Sequence, residues 1–131
     1  MKKILIVLAA VAFVSCTNNN DTDNETPNSM LVGSWTLTRV SCFCIFPDPP
    51  NFNLTTVAFS DSANEMTVLN SGEEVYFREN GTYTYSGNDT RITFENGQAF
   101  DIEIREERLS LGFVDSPELA DDEINYSFVR N

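Results

Sequence analysis

The chain has no histidine, and its lysines are confined to Lys2 and Lys3. Without either residue beyond position 3, the remaining chain cannot build a Ser-His or Ser-Lys nucleophile. Carboxylate pairs such as Glu73-Glu74 and Glu106-Glu107 occur in predicted turns, where charge runs are usually solvated. We therefore expect a protein that is not an enzyme and uses no cofactor and no metal; weak calcium binding in the acidic loop Asp115–Asp122 is the alternative.

Basic residues are scarce throughout, with 8 against 20 acidic residues and a formal net charge of −12. Removal of residues 1–15 would leave six arginines against the same twenty acidic residues, a net charge of −14. Nucleic acid and anionic lipid headgroups would repel such a chain. We expect no nucleic-acid partner, and attachment to a membrane would need a covalent anchor.

Long apolar segments are also missing. The run Ile4–Val14 has eleven residues, whereas a membrane-spanning helix needs about 20. Lys2 and Lys3 precede this run, and the small residue Ser15 follows it. A basic start, a short apolar run and a small residue are the layout of a secretory signal peptide.

The residues Phe13-Val14-Ser15-Cys16 resemble the lipobox of bacterial lipoproteins, with Phe13 in place of the usual leucine. The resemblance implies cleavage before Cys16 and lipidation of Cys16 with acyl chains such as palmitate. Two or more chains anchor a protein stably. The alternative is an ordinary signal peptide with an incidental cysteine.

Residues 17–29 are rich in Asn, Asp and Thr and cannot bury enough apolar surface to become ordered. We predict a signal peptide at 1–15, a lipidated cysteine with a flexible acidic tether at 16–30, and one domain at 31–131. Asp21, Asp23 and Glu25 resemble the surface-export signal of Bacteroidetes-type lipoproteins; a solvated spacer is the alternative. The predicted location is the cell envelope, as an outer-membrane lipoprotein, with surface exposure depending on that signal.

From Leu31 onward apolar residues alternate with polar ones, which is typical of strands with one buried face. Asn96-Gly97 is a strong two-residue hairpin signal. No ten-residue window has a sustained helical period. Short antiparallel strands predict an all-β, eight-stranded up-and-down barrel, because closure removes exposed edges. The eight strand candidates carry Trp35/Leu37, Val57/Phe59, Met66/Val68, Tyr83/Tyr85, Ile92/Phe94, Phe100/Ile102, Leu109/Leu111 and Tyr126/Phe128.

Four short motifs occur in a characteristic order: Gly33-x-Trp35, Gly81-Thr82-Tyr83, Leu109-x-Leu111 and Phe128-x-Arg130. Together they resemble the small bacterial lipocalin-like lipoproteins of Bacteroidetes type. The resemblance implies that Trp35 lies at the closed end of a lipocalin-like barrel and that Arg130 crosses its ring as a structural clasp. The alternative is that Arg130 is a frayed terminal residue.

An eight-stranded barrel is either filled by side chains or holds one small ligand. The first hypothesis is non-catalytic binding of a small apolar or amphipathic ligand, in a pocket lined by Tyr83, Tyr85, Phe100 and Tyr126. The second is a filled barrel that acts as a surface interaction or inhibitor module through the loops Pro47–Phe52 and Asp115–Asp122. The sequence indicates no particular protein partner.

Two further local features concern covalent modification of side chains. Cys42 and Cys44 would sit near the upper limit for bridging if both lay on an extended strand, although an exported protein is permissive for a disulfide. Two free thiols or pairing with another chain are the alternatives. Asp61-Ser62-Ala63 resembles the O-glycosylation site of Bacteroidetes, which makes Ser62 a candidate acceptor on a predicted turn.

Overall fold

The computed structural model describes residues 29–115 and 123–131. The predicted signal peptide, Cys16 and the tether up to residue 28 lie outside the described residues. Each strand pairs antiparallel with the next, and the last pairs with the first, so the sheet closes into a barrel. The predicted all-β, eight-stranded up-and-down barrel is therefore confirmed. The strands are β1 Gly33–Ser41, β2 Thr55–Phe59, β3 Glu65–Asn70, β4 Gly81–Gly87, β5 Arg91–Phe94, β6 Ala99–Arg105, β7 Arg108–Phe113 and β8 Asn125–Arg130.

Alternation of apolar and polar residues along each strand produces the core, as β2 and β3 illustrate. Val57 pairs with Val68, and Phe59 pairs with Met66; all four side chains are buried. The residues between them point outward, because successive side chains of a strand lie on opposite faces. The same pattern recurs around the barrel and places one continuous apolar cluster inside it.

A bulge interrupts this alternation where β1 meets β8. Trp35 pairs with Arg130 and Leu37 with Phe128, but the register then shifts so that Arg39 pairs with Ser127. Unbroken alternation would have turned Arg39 inward after Leu37. The extra residue instead leaves both Thr38 and Arg39 exposed, which is how bulges re-aim side chains.

The two ends of the barrel differ in their connections. At the closed end, where β1 begins and β8 ends, the links β2–β3, β4–β5 and β6–β7 are short. At the other end, the mouth, longer loops join β1 to β2, β3 to β4 and β7 to β8. The predicted hairpin turn lies at the mouth between β5 and β6, where Gly97 has a φ of 86° that favours glycine.

Among residues 29–115 and 123–131, no helix is long and apolar enough to cross a membrane.

Candidate functional site

At the closed end, Arg130 lies over Trp35, with its guanidinium carbon 4.1 Å from the ring centroid. Its Nη1 donates to the carbonyl of Val32 at 2.9 Å, and its Nη2 donates to the carbonyl of Met30 at 2.7 Å. The Nε atom lies 3.3 Å from a carboxylate oxygen of Glu107. Each nitrogen of this guanidinium therefore has a protein partner, and the side chain joins the last strand to the segment preceding the first.

Gly33 makes room for that guanidinium. Its φ is 123°, and a Cβ added there would approach Nη1 of Arg130 to 2.8 Å. A side chain would therefore be strained and would collide with the arginine. The spacing Gly33-x-Trp35 thus serves the Arg130 contact directly.

At the mouth, the segment 71–80 between β3 and β4 turns inward; we call it the mouth loop. Phe77 of this loop packs edgewise against three rings of the barrel wall, with centroid distances of 5.7 Å to Phe100, 4.8 Å to Tyr126 and 5.7 Å to Phe128. Such edge-to-face pairs are favourable beyond their buried area. The Phe77 ring occupies the space above the core and closes the mouth.

A second aromatic group ties the mouth loop to the β1–β2 loop. Tyr76 packs against Phe46 and Phe52, with centroid distances of 5.6 Å and 4.8 Å. The backbone N–H of Asn51 donates to the Tyr76 hydroxyl at 3.2 Å. Two long loops therefore cover the mouth as one packed unit.

Asn70 holds the base of the mouth loop. Its Nδ2 donates to the carbonyl of Arg78 at 2.8 Å and to Oδ1 of Asn80 at 2.9 Å. Its Oδ1 accepts from the hydroxyl of Thr55 at 2.7 Å. Because Asn70 and Thr55 are both buried, these bonds are costly to break and set the position of Arg78.

Arg78 is a cation among aromatic rings. Its guanidinium carbon lies 4.1 Å from the centroid of Phe94 and 4.8 Å from that of Tyr83. Nη2 donates to Oε1 of Gln98, but the buried Nε has no hydrogen-bond partner. No ion pair joins Arg78 to any described carboxylate. Desolvation lowers the pKa of Arg78, whereas nearby Tyr83 and Tyr126 raise it.

A family model for a lipocalin-like domain matches residues 31–111, from the start of the barrel into β7. The chain belongs to the lipocalin-like domain family. Its barrel is thus of a fold that binds small molecules. No curated protein is similar enough to this chain to count as a relative.

The four predicted lining residues lie at different depths of this lipocalin-like barrel. Tyr83 borders a recess of about 220 Å³ together with Arg78 and Phe94, and its hydroxyl donates to the carbonyl of Glu79 at 2.9 Å. Tyr126 lies under the Phe77 ring. Phe100 is buried among rings. The structure therefore places Phe100 and Tyr126 against the Phe77 ring, and Tyr83 against Phe94.

Tyr85 packs against Phe94 and Phe59, with 6.2 Å and 5.8 Å between ring centroids. It is buried, and its hydroxyl has no hydrogen-bond partner. Desolvation raises the pKa of Tyr85. Desolvation also raises the pKa of Tyr126, an effect that the Arg78 charge opposes. Two buried polar atoms near Phe94, the Tyr85 hydroxyl and the Arg78 Nε, are thus unpaired.

Sequence reasoning missed Phe77 and Arg78, because residues 71–80 read only as a charged turn. A signal was present in Val75-Tyr76-Phe77, three consecutive apolar residues directly after Glu73-Glu74. Loops exposed on all sides are normally polar. The aromatic pair Tyr76-Phe77 within such a turn therefore indicates that these side chains pack against the rest of the domain.

The structure joins Cys42 and Cys44 in a disulfide, with 5.2 Å between their Cα atoms. Both follow the end of β1 at Ser41, so the pair does not lie on an extended strand, the case in which bridging would be near its limit. Leaving the strand shortens the Cα distance from the roughly 6.6 Å of an extended i, i+2 pair. The neighbouring side chains Phe43 and Ile45 are 90% and 100% exposed.

Ser62 is exposed in the β2–β3 turn at the closed end. Its backbone N–H donates to the hydroxyl of Ser60 at 3.2 Å. The candidate glycosylation site is accessible and lies away from the mouth. Of the second predicted contact loop, residues 116–122 lie outside the described residues. Within the described part of the chain, no three Cys, Asp or Glu side chains converge on a metal position.

Proposed function

We propose that this protein is a lipid-anchored lipoprotein of the cell envelope, whose barrel binds a small amphipathic ligand at its mouth without catalysing a reaction. The anchor rests on the sequence: a basic start, a short apolar run and a small residue before Cys16. The missing histidine and the confinement of lysine to positions 2 and 3 support a non-catalytic role.

The unpaired Nε of Arg78 is the observation that carries the ligand proposal. A buried donor without a partner costs roughly 1–3 kcal/mol, and the mouth loop places that donor among aromatic rings instead of in solvent. A ligand with an acceptor or anionic group would remove this cost and pair the cation. The rings of Phe94 and Tyr83 beside Arg78 suit an apolar or aromatic body.

Binding would require the Phe77 ring to leave the mouth. The mouth loop contains no helix or strand, and binding requires Phe77 to move while the Asn70 bonds to Arg78 and Asn80 hold the base of the loop. The rings beneath it, Phe100, Tyr126 and Phe128, would then contact the ligand in place of Phe77. The 220 Å³ recess beside Arg78 supplies the starting point for such opening.

Binding of the anionic aromatic probe 1-anilinonaphthalene-8-sulfonate, followed by fluorescence, tests the mouth. We expect Arg78→Met to weaken binding about tenfold, because a charge-assisted contact is lost. Arg91→Met is the matched control, since Arg91 pairs with Asp101 on the outside of the barrel. Equal affinity in wild type and Arg78→Met would exclude the mouth as the binding site.

The anchor is tested separately by Cys16→Ala and cell fractionation. The variant should appear in the soluble fraction, because the chain is too acidic to adhere to anionic headgroups unaided. A variant that remained in the membrane fraction would show that Cys16 is not the anchor.

A second function, a surface interaction module, is favoured by one specific observation. Phe43 and Ile45 are almost fully exposed on either side of the bridged Cys44, near the predicted contact loop Pro47–Phe52. Exposed apolar side chains held on a short constrained loop suit a protein contact. Replacement of both by serine should abolish binding to such a partner and leave probe binding at the mouth unchanged.

A further inference from the structure

The outer wall of the barrel carries a groove that is separate from the mouth. It crosses strands β6, β7, β8 and β1 and has a volume of about 560 Å³. Three of the six arginines of the chain line it, namely Arg39, Arg105 and Arg108. Ligand sites typically measure about 300–1,000 Å³, so the groove is large enough for a small molecule.

The strand register brings these arginines together. Arg105 and Arg108 are direct partners across β6 and β7, although like charges opposite each other are destabilising. The bulge in β1 turns Arg39 outward beside Ser127 of β8. Only β8 separates β1 from β7, so the two backbones lie about 10 Å apart. Arginine side chains are long enough to meet above β8.

Within residues 29–115 and 123–131, ion pairs leave part of the positive charge of the groove unneutralised. Glu103 is its acidic residue, and its carboxylate accepts from Nε of Arg105 at 2.6 Å. Arg39 and Arg108 form no ion pair with any residue of 29–115 or 123–131. Three arginines against one glutamate leave two positive charges in a chain of net charge −12. At physiological salt the screening length is about 8 Å, so the local charges dominate inside the groove.

We propose that this groove binds a phosphomonoester of a small organic molecule. A phosphomonoester carries a charge of about −1.5 to −2 at neutral pH, which matches the two positive charges. The planar forks of Arg39 and Arg108 suit its oxygens. Half-buried Val129, which pairs with Arg108, offers an apolar surface to the organic part. A carboxylate would neutralise only one of the two charges.

Isothermal titration calorimetry of the full-length protein with phenyl phosphate, in phosphate-free buffer, tests the groove. Arg108→Gln and Arg39→Gln should each weaken binding about tenfold, the usual effect of losing a charge-assisted hydrogen bond. Arg91→Gln is the control, because Arg91 lies on the outer wall but pairs with Asp101 outside the groove. Arg78→Met should leave phenyl phosphate binding intact, which separates this site from the mouth.

Three ligand comparisons complete the test. Benzyl alcohol, which lacks the charge, should not bind, and benzoate and inorganic phosphate should each bind more weakly than phenyl phosphate. Equal losses in Arg108→Gln and Arg91→Gln would overturn the proposal. So would benzoate or inorganic phosphate binding as tightly as phenyl phosphate, or no binding of phenyl phosphate at millimolar concentration.

Discussion

Each end of the barrel has an arginine stacked on an aromatic ring at the same distance, 4.1 Å: Arg130 on Trp35 at the closed end and Arg78 on Phe94 at the mouth. Their hydrogen bonding differs. Arg130 donates to two backbone carbonyls and contacts the Glu107 carboxylate. Arg78 donates to Gln98, and its buried Nε has no partner.

This difference in hydrogen bonding distinguishes an arginine that stabilises the fold from one that we propose binds a ligand. Each nitrogen of the Arg130 guanidinium already has a protein partner, and this side chain joins the last strand to the segment preceding the first. An incompletely paired guanidinium destabilises its surroundings unless another group completes it. The same residue type on an aromatic ring therefore serves the fold at the closed end, and at the mouth we propose that it binds a ligand.

The largest effect is expected from Trp35→Ala at the closed end. Trp35 is fully buried, and its Nε1 donates to the carbonyl of Leu31 at 2.8 Å. Loss of the indole should lower the free energy of unfolding by about 3–5 kcal/mol. Denaturant unfolding measures this change. A loss within about 0.5 kcal/mol, typical of surface positions, would contradict the structural role of this end.

The two arginines can be compared directly by making the same substitution at each. Arg130→Met should lower the free energy of unfolding by about 2 kcal/mol, because the carbonyls of Val32 and Met30 lose charged donors. Arg78→Met should change it by less than about 1 kcal/mol, since the lost stacking is offset by removal of an unpaired buried donor. Equal losses in denaturant unfolding would remove the distinction between the ends.

Tyr85→Phe probes the other unpaired buried atom, the Tyr85 hydroxyl, whose ring packs against Phe59 toward the closed end. The substitution removes a buried hydroxyl that has no partner and keeps the ring against Phe59 and Phe94. Stability should stay the same or rise by up to about 1 kcal/mol. Tyr83→Phe is the matched control, because it loses the hydrogen bond to Glu79 and should be slightly destabilised. A clear loss of stability in Tyr85→Phe would show that the hydroxyl is paired.

The smallest expected effect is a loss of folding stability at alkaline pH. Desolvation raises the pKa of Tyr85 and Tyr126 in the folded chain, so above the unfolded value of about 10 the unfolded chain loses its tyrosine protons first. The stability from these groups is complete below that pH and is lost as pH rises through their folded pKa values. At pH values above about 10, the denaturant concentration at the unfolding midpoint should decrease as pH rises. This decrease should be less steep in Tyr85→Phe than in wild type. Identical slopes in the two proteins would contradict burial of this hydroxyl.

Much of the barrel followed from local pattern. Alternation placed Val57, Met66 and Val68 inside because the strand period leaves no choice of face once one face is apolar. Asn96-Gly97 marked the position of a hairpin, but the connection spans residues 95–98 instead of two residues, and of this pair only Gly97 has a positive φ. Closure of the first strand on the last followed from the need to cover two sheet edges.

The mouth and the outer groove could not be predicted in the same way, because they depend on contacts between distant segments. Phe77 lies in a turn, and nothing near it in sequence shows that Phe100 and Tyr126 will surround its ring. Arg39 faces outward because of a bulge that simple alternation from Trp35 and Leu37 does not reveal. The pairing of Cys42 with Cys44 depended on where β1 ends.

The most direct test of ligand binding at the mouth is mass spectrometry under native and denaturing conditions, on the protein gently extracted from the envelope of the cells that make it. Wild type is predicted to carry extra mass that disappears on denaturation, and Arg78→Met is predicted to carry less of it than Arg91→Met. Identical native and denatured masses for wild type, repeated across growth conditions, would contradict a ligand-binding mouth and favour the filled barrel that acts through its loops.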